Sequence, residues 1–345
     1  MSLAGGRPDS IPCAQTMTYP LPEVAVATVN ARELNTVLST VLLKSSRSPL
    51  IRRTVTAIPV TRKVVERFVA GEDQDAAIAA VRALKTQGLY ATLDHLGEDT
   101  TDAAQAAGIK DSYVALLRRL KTEGLADAAE VSVKLSALGQ ALPNGGEQLA
   151  LDNARAVCAA AAEAGTTVTL DMEDHTTIDS TLRVLKVLRE DYPWLGAVLQ
   201  SMLHRTEQDC RDLAYPGSRI RLVKGAYAEP ASVAHQDKPE VDAAYERCLA
   251  ILMAGGGYPM VATHDSRMIR TARSAARASG REAGDGHEFQ MLYGIRQDEQ
   301  LKAARAGELM RVYVPFGTDW YGYFMRRLAE RPANVGFFLR ALIGR

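Results

Sequence analysis

From about residue 88 onward, short β-branched apolar runs alternate with longer stretches in which Ala and Leu recur at helical spacing. The runs are Tyr90-Ala-Thr-Leu-Asp94, Val131-Ser-Val-Lys-Leu135, Thr167-Val-Thr-Leu-Asp171 and Ala197-Val-Leu-Gln200. They continue with Arg219-Ile-Arg-Leu-Val-Lys224, Met260-Val-Ala-Thr263, Glu288-Phe-Gln-Met-Leu292 and Arg311-Val-Tyr-Val-Pro315. Between them lie helical candidates over 111–125, 147–164, 177–190, 239–254, 266–279 and 296–306. Tyr113, Leu117 and Leu120 share one face of the first, as do Leu182, Leu185 and Leu188 in the third. Several strands are apolar on both faces, which suits a parallel sheet covered by helices. Eight such units in about 250 residues predict a (β/α)8 TIM-type barrel of the α/β class over 88–345. A doubly wound sheet is the rival, but no GxGxxG follows any strand. Gly255-Gly256-Gly257 follows a helix and reads as its C-terminal stop.

Upstream, 31–44, 60–70 and 74–87 also have helical character, and 31–87 is expected to pack on the barrel as an arm. Residues 1–30, with Pro8, Pro12, Pro20 and Pro22, lack a secretory pattern and are expected to be a flexible segment outside the fold.

Charge balance narrows the function classes. Forty-one basic residues match forty-one acidic ones, so no global field favours nucleic acid or an anionic membrane. The cluster Arg52, Arg53, Arg62 and Lys63 is explained by a solvated helical face. Cys13, Cys158, Cys210 and Cys248 are scattered without a CxxC pair and read as reduced thiols of an intracellular protein. No apolar run approaches the ~18–20 residues of a membrane span.

In a barrel of this kind the reactive groups sit at the C-terminal strand ends. Those ends carry Lys134, Asp171, Gln200, Arg221, Lys224, Thr263, His264 and Tyr313. Taken singly, each of them is better explained by a structural ion pair. The whole set is not, because so many polar groups in a barrel mouth need partners or a ligand. In the Arg219–Tyr227 segment, Gly225 permits close backbone approach, and Arg221 and Lys224 supply cations suited to phosphate or an anionic ring.

Tyr323, Arg326, Arg327 and Glu330 stand at i, i+3, i+4 and i+7, on one face of a final helix expected to cross the barrel mouth. Two guanidinium groups there can grip a carboxylate through forked hydrogen bonds. The competing reading is an exposed Arg326–Glu330 ion pair. His264-Asp265 and His287-Glu288 lack a third ligand at matching spacing, so no metal is expected. Ser136, Ser201 and Ser266 lack a nucleophile-elbow context.

Together these strings resemble the proline dehydrogenase family, which includes the dehydrogenase domain of bifunctional proline utilisation A. The likeness lies in Val133-Lys-Leu-Ser136, Leu170-Asp-Met-Glu173, Leu199-Gln200 and Arg221-Leu-Val-Lys-Gly-Ala-Tyr227. It extends through Ala262-Thr-His264, Phe289-Gln-Met-Leu292, Tyr313-Val-Pro-Phe-Gly317 and Tyr323-Phe-Met-Arg-Arg-Leu-Ala-Glu330. The resemblance implies non-covalent FAD touching Met172, Gln200, Arg221, Val223, Lys224 and Gly225, with Ala226, Thr263 and His264 completing the contact. Lys134, Arg326 and Arg327 would hold a proline carboxylate, and Leu222, Tyr227 and Tyr323 would enclose the ring. Asp171 and Tyr313 would orient Lys134 and the ring nitrogen, with Arg221 beside the reactive flavin nitrogen and Glu98 pairing with it as a gate. Ala228 departs from the bifunctional pattern, which has an aromatic there.

The implied reaction is oxidation of L-proline to Δ1-pyrroline-5-carboxylate by a cytoplasmic enzyme, with electrons passed to a quinone through peripheral contact at the inner membrane face. A separate pyrroline-5-carboxylate dehydrogenase would act next. Two alternatives stay open: a Schiff-base lyase or aldolase using Lys134 or Lys224, and a non-catalytic amino-acid-binding barrel.

Overall fold

The computed structural model describes Val65, residues 67–97 and residues 100–330, with side chains through Met325. Chain order begins with α1 (Gln74–Thr86), β1 (Tyr90–His95), α2 (Ala103–Thr122), β2 (Ala129–Val133) and α3 (Gly146–Ala164). It continues with β3 (Val168–Leu170), α4 (Ile178–Asp191), β4 (Gly196–Gln200), α5 (Thr206–Leu213), β5 (Arg219–Val223) and α6 (Lys238–Ala254). The last elements are β6 (Tyr258–Ala262), α7 (Ser266–Ala278), β7 (Glu288–Leu292), α8 (Gln297–Arg305), β8 (Met310–Phe316) and α9 (Trp320–Glu330). The strands pair in sequence order, all parallel, and β8 closes on β1. This is the (β/α)8 barrel that the alternation predicts.

Local chemistry sets the helix ends. Asp73 and Asp102 accept from the backbone N–H groups of Ala76 and Gln105, each at 2.9 Å, and so start α1 and α2. α6 does stop at Gly255, but at φ −77° rather than in a left-handed cap. The glycines are needed there for space: a Cβ at 255 or 257 would come within 2.7 Å of Ala214 or Ser218 backbone oxygen. On α2, Tyr113, Leu116, Leu117 and Leu120 face the sheet fully buried. Each leucine contributes about 2 kcal/mol of burial as an upper estimate.

Three departures from the sequence reading stand out. β2 runs two residues earlier than expected and ends at Val133, which leaves Lys134 just past the strand end. α2 starts at Ala103, well before 111. α5 was not anticipated; its sequence, Thr-Glu-Gln-Asp-Cys-Arg-Asp-Leu, buries only Thr206, Asp209 and Cys210, too little apolar surface to show a period.

Strand alternation turns every second side chain into the barrel. The usual filling is branched and apolar. Here it is ionic: Arg219, Arg221 and Arg311 meet Glu130, Glu288 and Asp171. Three cations against three carboxylates leave this set neutral, as burial of charge requires.

A second, smaller core lies over the C-terminal end of the barrel. Val65, Phe68 and Val69 pack there with Leu96 and with Trp320, Tyr321, Tyr323, Phe324 and Met325 of α9. Val65 accepts from the backbone of Phe68 and Val69, closing one helical turn, and 67–70 then runs on as a turn rather than as helix. Ala70 N–H donates to Pro315 O at 2.9 Å. Of the expected arm, α1 is a helix; 31–44 and most of 60–70 lie outside the described residues.

Candidate active site at the barrel mouth

A cavity of about 520 Å³ opens where the strands end. Thirteen of the residues singled out from the sequence line it: Lys134, Asp171, Met172, Gln200, Arg221 and Val223; then Lys224, Gly225, Ala226, Tyr227, Thr263, His264 and Tyr313. Tyr323, from α9, is the fourteenth.

Arg221 is 3% exposed and lies at the centre of the floor. Its Nη1 donates to Asp171 Oδ1 at 2.8 Å and to Ser132 Oγ at 2.9 Å, and its Nε donates to Gln290 Oε1 at 2.6 Å. The guanidinium carbon lies 5.3 Å from the centre of the Tyr313 ring. Asp171 receives two further hydroxyls, Ser132 at 2.8 Å and Tyr313 at 2.7 Å. Burial and the adjacent Asp171 push the Tyr313 phenol well up, so it is a donor at neutral pH.

Lys134, 7% exposed, donates to both oxygens of Asp94 at 2.8 Å and lies 3.6 Å from Asp171 Oδ2. Asp94 thus holds Lys134 at closer range than Asp171 does. Burial pushes the Asp94 carboxyl up and Lys134 pulls it back down, with burial the larger influence.

Lys224 bridges Asp242 at 2.5 Å and Asp265 at 3.0 Å. Asp265 has a second task. Its other oxygen accepts from Arg267 N–H at 2.9 Å and caps α7, so helix start and cation site share one residue. Gly225 follows at φ +111°, a conformation open to glycine. Gln200 is turned by the Glu173 carbonyl, which accepts from its Nε2 at 2.6 Å. His264 Nε2 accepts from Leu292 N–H at 2.9 Å, which assigns the ring proton to Nδ1. His175 pairs with Glu229.

Leu222 is not part of the cavity wall. Arg221 and Val223 point inward, so alternation turns Leu222 to the opposite face, fully buried in the main core. Its carbonyl accepts from Tyr245 OH at 3.3 Å. Glu98 lies outside the described residues, as do the side chains of Arg326, Arg327 and Glu330; the backbone of α9 keeps their positions on the Tyr323 face. Sequence reasoning missed Asp94, Ser132, Gln290, Asp242 and Asp265 as partners. Asp94 was detectable, as the last polar residue of the first run.

The family model described as proline dehydrogenase matches residues 77–340. A proline dehydrogenase of Deinococcus radiodurans is 43% identical over 282 residues, covering 81% of this chain and 90% of that protein. Proline dehydrogenase 1 of Bacillus subtilis (strain 168) is 38% identical over 283 residues, covering 82% of this chain and 92% of that protein. The solved structure of proline utilization A from Bdellovibrio bacteriovorus, inactivated by N-propargylglycine, superposes with a TM-score of 0.73. At 23% identity, over 87% of this chain and 37% of that one, this likeness shows the barrel fold.

Proposed function

The chain belongs to the proline dehydrogenase family, and on that premise we propose that it oxidises L-proline to Δ1-pyrroline-5-carboxylate with FAD bound at the barrel mouth. The observation that carries this reading is the Arg221–Asp171–Tyr313 cluster on the cavity floor, with Lys134 beside it.

The residues present suit a flavin. Arg221 is a buried cation whose Nη2 makes no hydrogen bond and lies 3.5 Å from Glu130 Oε1. Gly225 offers bare backbone next to Lys224, and Gln200 adds a polar edge. Thr263 and His264 complete the flavin side. When bound, the flavin supplies the two-electron acceptor.

The chain's own residues bind and orient. Lys134, with Arg326 and Arg327 from α9, holds the substrate carboxylate. Tyr227 and Tyr323 enclose the pyrrolidine ring and exclude water. Asp171 is occupied by three donors, so its role is to fix Arg221 and Tyr313 rather than to accept a proton. Arg221 stabilises negative charge as it develops on the ring system. Electrons then pass to a quinone, reached by peripheral contact at the inner membrane face, and a separate pyrroline-5-carboxylate dehydrogenase consumes the product. Among the described residues no helix is long and apolar enough to cross a membrane. A Schiff base on Lys134 or Lys224 would require breaking the carboxylate pairs that hold each ammonium.

A visible spectrum tests the reading. Purified protein is expected to show flavin absorbance that bleaches when proline is added without oxygen. A colourless protein that gains no proline oxidation after reconstitution with FAD would overturn it.

A further inference from the structure

Gln290 sits in the middle of β7 with its side chain inside the barrel, 3% exposed and on the cavity wall. Its amide is engaged at both ends. Nε2 donates to Glu288 Oε1 at 2.5 Å, and Oε1 accepts from Arg221 Nε at 2.6 Å. The two ends of an amide are not interchangeable. Glu288 faces the fork of Arg311, whose Nε and Nη2 reach its oxygens at 2.8 and 3.1 Å. It therefore offers acceptors, draws the amide NH2 toward itself and turns the carbonyl to Arg221. Arg311, Glu288, Gln290 and Arg221 form one continuous chain of directed bonds across β8, β7 and β5.

On its other side the Arg221 guanidinium donates through Nη1 to Asp171 and Ser132. Those contacts alone would let the group swing about Nη1. A second anchor at Nε removes that freedom, because the guanidinium is planar and rigid. A neutral anchor also adds no further negative charge to a cation already paired with Asp171, whereas a carboxylate at 290 would add one and stand against Glu288.

We infer that Gln290 is a positioning residue that sets the plane of Arg221 against the bound flavin, with Glu288 dictating the sense of its amide. The inference rests on the proposed flavin chemistry. It assigns Gln290 no contact with the reacting atoms; it acts through Arg221, where preorganised charge is worth most.

The test is a double-mutant cycle on FAD-loaded protein, comparing wild type, Gln290→Met, Arg221→Lys and the double variant. Anaerobic flavin reduction at saturating proline, the proline saturation constant, the flavin midpoint potential and the Tm are measured for each. Gln290→Met is expected to slow reduction by about 10-fold or more and to lower the midpoint potential, because the charge beside the ring is misdirected. The proline constant should stay within about threefold, since the carboxylate anchors are untouched. In the Arg221→Lys background the same change should alter the rate by less than about twofold, because a lysine has no plane to set. Equal factors in both backgrounds, or a wild-type rate in Gln290→Met, overturn the inference. Should Gln290→Met not fold, Gln290→Asn serves instead. It keeps the amide but is too short to reach both partners, so the same loss is expected and a normal rate overturns the inference. A wild-type chain that takes up no FAD would count against the proposed function itself, before any variant is compared.

Discussion

Arg221 Nη1 lies 2.8 Å from Asp171 Oδ1, although 50 positions separate the two residues in the chain. The pair forms because β3 and β5 both end at the mouth and both turn these side chains inward. Asp171 in turn accepts from Tyr313 of β8, 142 positions away. With Ser132 of β2 also donating to it, this one carboxylate ties four strands together beneath the cavity.

If Arg221 stabilises charge on the reduced ring, Arg221→Ala should retain flavin and lose rate. Removing one such donor costs on the order of 10²–10³ in rate in comparable oxyanion sites. Stopped-flow reduction by proline measures it, and a normal rate in a flavin-loaded variant would exclude this role.

Arg326→Lys and Arg327→Lys preserve charge but not the planar fork. Each lost charge-assisted bond costs about 1.5–3 kcal/mol, so the proline constant should rise roughly 10- to 150-fold. Pyrrolidine, lacking the carboxylate, should be a poor ligand for wild type and lose little more in either variant. A surface ion pair predicts near-normal kinetics and at most about 1 kcal/mol of lost stability. Unchanged proline saturation in both variants would rule out the carboxylate clamp.

Gly225→Ala places a Cβ where φ is +111°, with the nearest atom, Met202 Sδ, only 2.4 Å away. Backbone strain there costs about 1–3 kcal/mol. The variant should melt earlier and retain less flavin per chain than wild type, as judged by absorbance ratio and thermal unfolding. Full flavin retention with an unchanged Tm would show that the backbone at 225 tolerates a side chain.

Glu130 gives a pH-dependent signature. Burial raises its carboxyl, but Arg219, Arg311 and Arg221 together hold it well below the usual range. A depressed carboxylate stabilises the fold above its unfolded pKa of about 4.3 and loses that contribution as pH falls below it. Glu130→Gln should therefore be destabilised by about 3–5 kcal/mol at pH 7, where it strands buried arginines. The deficit should shrink as pH drops from about 5 toward 3. Urea unfolding at pH 7 and near pH 3.5 measures the difference, and an equal deficit at both would contradict the pairing.

Much of the site was legible because strand ends are local features. Lys134, Asp171, Arg221, Lys224 and Tyr313 were found as polar residues ending apolar runs, and all five line the cavity. Leu222 was misplaced because strand alternation had not been set against the true inward residue, Arg221. Asp94, the closer partner of Lys134, was missed because it lies 40 positions earlier and becomes its neighbour only once the barrel closes. α5 left no trace because a helix with three small or polar buried residues has no hydrophobic period.

The sequence by itself determined the alternation of strands and helices, the barrel it implies, and the polar residue types collected at the strand ends. Those are short-range properties, set by the periods of 2 and 3.6 residues and by capping and turn chemistry. Only the tertiary structure decided which charges meet. Closure of β8 on β1 and the stagger of the strands placed Arg221 among Asp171, Ser132 and Gln290, and filled the interior with Glu130, Arg219, Glu288 and Arg311. Buried charge has to find a partner in space rather than in sequence, and the partners lie 89 or more positions apart where Glu130 meets Arg219 and Arg311.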